Sequence, residues 1–87
     1  MFLHLGADVV VPLRDVIAIN DFKLGKSGIN KEFLTKMQDE KKIIDISEQN
    51  GKSFIITNKI VYLSAISSLT LKKRASSFAM SNSLIGI

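Results

Sequence analysis

Apolar and polar side chains alternate over Phe2-Leu3-His4-Leu5, and the β-branched run Val9-Val10-Val11 follows after Gly6-Ala7-Asp8. Period-two patterning on both sides of a short turn predicts a β-hairpin. Pro12 lacks the N–H that a ladder needs, so it ends the second strand or lies on an edge. From Arg14 to Asn20, Val16, Ala18 and Asn20 fall on one face and Asp15, Ile17 and Ile19 on the other. That pattern predicts a strand covered on both faces for part of its length, hence a central one.

The period then changes. Asp21 to Gly28 reads as a loop with helix-start chemistry at Ser27 or Asn30, and Ile29, Phe33, Leu34 and Met37 make one stripe of a helix running to about Glu40. Lys41 and Lys42 follow, where cations suit the helix dipole. Ile43 to Ile46 predicts a strand, Asn50-Gly51 a turn, and Lys52–Thr57 with Ile60–Ser64 a second hairpin across Thr57-Asn58-Lys59. Ser67 or Ser68 caps a second helix with the stripe Leu71, Ala75, Phe78 and Ala79. Lys73 points away from that stripe, flanked by Lys72 and Arg74, so all three reach outward while the helix stays docked. The expectation is a single small α+β domain over residues 1–80, an antiparallel or mixed sheet of five or six strands with two helices. Residues 81–87 (SNSLIGI) read as a loosely held tail or a subunit contact.

Composition sharpens this picture. Hydrophobic residues make up 46% of the 87, and a chain of that size buries only about 60 to 65% of its unfolded surface. Some of that apolar surface is therefore expected to be hidden in a homo-oligomer. The chain has no cysteine, which removes disulfides and thiolate metal sites and makes the cytoplasm the expected compartment. No run is long enough for a membrane span, and the N-terminus lacks the pattern of a secretory signal. Net charge is +4 but unevenly spread: residues 1–50 hold eight acids and seven bases, whereas after Glu48 there are only Lys52, Lys59, Lys72, Lys73 and Arg74, with no acid. Such asymmetry points to a polyanion, nucleic acid or an anionic membrane surface.

Catalytic motifs fail on inspection. Gly25-Lys26-Ser27 echoes a phosphate-binding loop, but Asn20 stands where the first glycine belongs. His4 is the only histidine, with no cysteine to complete a zinc set and no motif pairing it with a serine. No catalytic residue, cofactor or metal is assigned, and the chain is not expected to be an enzyme. Tyr62 has a stacking surface, yet a tyrosine among aliphatic residues reads first as core. The cations remain, and lysine and arginine at hairpin ends and on a helix suit contacts to phosphates. A membrane-bound helix would need Leu71 and Phe78 exposed beside them, and those side chains are required for docking.

His4-Leu5-Gly6, Asp8 with Val9-Val10, Arg14-Asp15-Val16, Asp21-Phe22, Glu32-Phe33-Leu34 and Ser67-Ser68-Leu69-Thr70-Leu71-Lys72-Lys73-Arg74 resemble the RemA/RemB family of small bacterial extracellular-matrix regulators, the RemB branch more than the RemA branch. The resemblance spans most of residues 1–74. It implies a cytoplasmic, non-enzymatic regulator of biofilm-matrix genes that forms ring-shaped oligomers presenting basic residues to DNA. By position Arg14 resembles a basic residue heading the central strand, and Lys52 resembles a basic cluster before the penultimate strand. Gly51-Lys52-Ser53 carries one lysine where the RemA branch has several arginines. The expected DNA-contacting set is Arg14, Lys52, Lys59, Lys72, Lys73 and Arg74. An oligomeric protein-interaction or scaffold module without direct DNA binding is the alternative.

Overall fold

The computed structural model describes residues 1–26 and 28–81, and side chains through residue 76. In chain order the elements are β1 (Phe2–Gly6), β2 (Val9–Pro12), β3 (Val16–Asp21), α1 (Gly28–Asp39), β4 (Ile43–Asp45), β5 (Ser53–Thr57), β6 (Val61–Ser64) and α2 (Ser68–Ser81). Two 3-10 turns, Leu13–Asp15 and Phe22–Lys26, bracket β3. The fold is α+β with two helices and six strands. The strands form not one sheet but two: the pair β1-β2, and a mixed sheet in the order β3-β5-β6-β4. Within the latter β4 runs parallel to β6 and the remaining pairs are antiparallel.

The first hairpin turns at Ala7 and Asp8, both at positive φ (49° and 62°). Two left-handed residues match the twist of the flanking strands, as in a type I′ turn. Alternation along this hairpin buries Leu3, Leu5 and Val11 and leaves Phe2, His4 and Val10 facing out.

The central strand is β5, not the Arg14–Asn20 segment. In β5 Ser53, Phe54, Ile55 and Thr57 are all buried, whereas β3 buries only Ile19 and leaves Ile17 68% exposed on an edge strand. The apolar centre Phe54-Ile55-Ile56 has no outward polar position, and the flanking Ser53 and Thr57 hydroxyls are bonded to Ile66 O and Ile60 O, so this strand is the one covered on both faces. On one face Ile19, Ile55 and Leu71 join Leu3, Leu5 and Val11 of the first hairpin in a single core, with Tyr62 and Ala75 packed against it. On the other, Phe54 lies beneath the Phe22–Lys26 turn, close enough that a Cβ at Gly25 would stand 3.4 Å from its ring and 2.4 Å from Leu34 Cδ1.

Ser64 ties the two sheets together. Its buried hydroxyl donates to Leu5 O at 2.7 Å and accepts Ile66 N–H at 3.0 Å. Ser64→Ala strands both partners, and its expected cost is about 1–3 kcal/mol, read as a lower urea midpoint at unchanged slope.

Helix α1 ends in a Schellman turn: Lys41 takes φ 58°, Lys42 N–H reaches Met37 O at 2.8 Å and Lys41 N–H reaches Gln38 O at 2.9 Å. Its apolar stripe is narrower than the sequence predicts. Phe33, Leu34 and Met37 are half-buried, but Ile29, in the first turn, is 83% exposed. Asn30 lies inside the helix rather than capping it, and Ser27 lies outside the described residues. The predicted Asn50-Gly51 turn sits two residues earlier, with Glu48 and Gln49 at positive φ and Asn50 N–H bonded to Ser47 O at 3.1 Å. At the second hairpin Thr57 closes the turn, its hydroxyl donating to Ile60 O and accepting Ile60 N–H, so Asn58 needs no positive φ. Residues 82–87 of the predicted tail, and the side chains of Phe78 and Ala79, lie outside the description.

Candidate nucleic-acid interface

The six predicted cations occupy three places. Lys72, Lys73 and Arg74 share the first half of α2, where Ser67 is the N-cap, its Oγ accepting Thr70 N–H at 3.2 Å. The helix docks through Leu71, which is fully buried, and all three cations that follow it are exposed. Arg74 also reaches across to the first hairpin, its Nη1 donating to His4 O at 3.3 Å.

Arg14 and Lys59 lie together at one end of the mixed sheet. Arg14 is in the 3-10 turn before β3 rather than heading the strand, and Asn58 N–H bonds Asp15 O at 3.1 Å, which docks the Thr57–Ile60 turn onto that segment. The Arg14 side chain is 88% exposed, with Asp15 Oδ1 at 4.0 Å from its Nε. An exposed pair at that distance leaves the guanidinium available, since such pairs contribute less than about 1 kcal/mol.

Lys52 is at the opposite end of β5, the end from which α2 departs. Its backbone is fixed on both sides, with Phe22 N–H donating to Lys52 O at 2.9 Å and Lys52 N–H donating to Ser64 O at 2.8 Å. This brings it beside Lys23 and Lys26, which the sequence reading left out. Counting charges along residues 1–50 hides these two, because acids such as Glu32, Asp39 and Glu40 that balance them in sequence belong to or follow α1. The available signal was their spacing: side chains three apart in a 3-10 turn eclipse one another. Lys26 Nζ lies 5.6 Å from the centroid of the Phe22 ring, within cation–π range.

Among the described residues no three His, Cys, Asp or Glu side chains are placed to hold a metal ion, and no helix is long and apolar enough to cross a membrane. The side chains on display in these three places are cationic and suited to phosphate oxygens.

Residues 2–75 match the family model described as RemA-like, extracellular matrix regulatory protein A-like. The chain is also similar to the extracellular matrix regulatory protein B of Bacillus subtilis strain 168, being 44% identical over 75 residues that cover 86% of this chain and 90% of that protein.

Proposed function

Because the chain belongs to the RemA-like family of extracellular matrix regulatory proteins, we propose that it is a regulator that acts by binding DNA as a homo-oligomer, through backbone phosphates. The observation that carries this reading is the exposed Lys72-Lys73-Arg74 triplet on a helix anchored by a buried Leu71. A docked helix holds the three charges at fixed spacing, so a polyanion gains electrostatic contacts without ordering a loop. Contacts of this kind set register and orientation, and specificity then comes from spacing and duplex shape.

Two features favour assembly. A basic strip on one protomer binds weakly, and repetition around an oligomer multiplies it through effective concentration. The outer face of the first hairpin carries Phe2, 60% exposed, and Val10, 55% exposed, and β3 has an unpaired edge bearing Ile17. Both are surfaces that a second copy of the chain covers favourably. Light scattering of the purified protein, followed by gel shifts with several duplexes at low salt, tests the proposal. A multimeric mass and retarded complexes support it, and a monomer with no retarded species overturns it.

A further inference from the structure

Lys23, Lys26 and Lys52 line one hollow of about 300 Å³, with Phe22, Asp21 and the cap residue Ser67 on its rim. Two separate segments converge there, the 3-10 turn after β3 and the start of β5, and the hydrogen bond from Phe22 N–H to Lys52 O holds them together. None of the three lysines forms an ion pair with a described residue. Asp21 is the single acid on the lining, and its Oδ1 accepts Lys23 N–H at 2.8 Å. The lining therefore carries three positive charges and one negative.

We infer that this hollow binds a small free phosphate compound bearing at least two negative charges, such as pyrophosphate or the diphosphate of a nucleotide. A surplus of two positive charges is neutralised by such a group and only half neutralised by one phosphodiester of a duplex. Lys26, held against the Phe22 ring, is already oriented before the ligand arrives. Phe22, Gly51 and Lys52 also line a neighbouring hollow of about 420 Å³ that carries Asp45, Ser47, Gln49 and Asn50. Gln49 and Asn50 there are uncharged donors and acceptors, and the Asp45 carboxylate, which accepts the Ser47 hydroxyl, leaves that side to the neutral remainder of a phosphate ester rather than to further phosphate. Gly51 keeps the wall thin, since a Cβ there would stand 3.4 Å from the Phe22 ring. Occupancy of this hollow does not depend on duplex binding by α2, because Lys23 and Lys26 lie on a different element from Lys72, Lys73 and Arg74.

The test is a titration of the intact, assembled protein with pyrophosphate at constant ionic strength, read by amide chemical shifts and by calorimetry, and repeated with ADP and with adenosine. Saturable shifts centred on residues 21–26 and 51–52 are expected with pyrophosphate and ADP and not with adenosine. The variant carrying Lys23→Ala and Lys26→Ala should bind pyrophosphate at least tenfold more weakly, on the scale of losing charge-assisted contacts, while its other amide signals stay in place, and the Lys72→Ala, Lys73→Ala, Arg74→Ala variant should keep its pyrophosphate affinity within about twofold. Absence of saturable shifts at millimolar pyrophosphate overturns the inference. So does a variant that loses duplex affinity while the parent ignores pyrophosphate, which makes the hollow a seat for a backbone phosphate instead.

Discussion

Alanine at Lys72, Lys73 and Arg74 together is expected to weaken binding to every duplex, by on the order of ten- to a hundredfold near physiological salt, while fold and assembly persist. All three side chains are exposed, and the helix is anchored by Leu71, which the change leaves untouched. Among the described residues only Arg74 has a side-chain bond to lose, the 3.3 Å contact to His4 O, and an exposed bond of that length contributes less than about 1 kcal/mol. Since each neutralised phosphate adds about 0.9 to the slope of log K against log salt, loss of three contacts per bound protomer flattens that slope by up to about 2.7. The loss is uniform across sequences because phosphate contacts carry no base information. A triple variant that instead falls apart into protomers identifies the triplet as an assembly element, and light scattering separates the two outcomes.

Phe54→Ala is expected to cost about 3–5 kcal/mol, the range for emptying a buried aromatic site. Phe54 is fully buried in the central strand, and Gly25 and Leu34 pack over it from the opposite side to the main core. A small domain has only about 5–15 kcal/mol to lose, so a large unfolded fraction near 37 °C follows unless assembly compensates through mass action. Urea denaturation at fixed protein concentration measures the effect. A loss below about 1 kcal/mol contradicts the layer of Gly25 and Leu34 over the sheet.

The elements were largely legible because their periods are clean. Alternation at Leu3, Leu5 and Val11, and the helical phase that buries Leu71 while exposing Lys72 to Arg74, are consequences of local geometry that a sequence displays directly. Sheet membership was not legible. Whether Val16–Asp21 or Ser53–Thr57 occupies the centre depends on which strand both neighbours pair with, a long-range outcome that alternation in one strand does not encode. The same limit applies to Ile29, which obeys the α1 period and yet is exposed, because what a helix face packs against is a long-range outcome.

The candidate site divides in the same way. The α2 triplet is contiguous in sequence and was found there. Lys52 with Lys23 and Lys26 is a cluster assembled by a main-chain hydrogen bond between residues 22 and 52, so charge counting along the chain placed them in opposite halves of the balance. Lys52 and Lys59, close in sequence, stand at opposite ends of β5. Left-handed residues were missed at Lys41, Glu48 and Gln49, where nothing in residue type announces the conformation.

The central claim is that cations on the assembled protein meet duplex phosphates, and the salt dependence of the duplex dissociation constant tests it most directly. With the assembled protein and a duplex of fixed sequence, the logarithm of the dissociation constant is expected to rise linearly with log salt, at a slope of about 2.7 if one α2 triplet engages and more steeply if several do. A dissociation constant that does not change with salt, or no complex at the lowest salt, contradicts the claim.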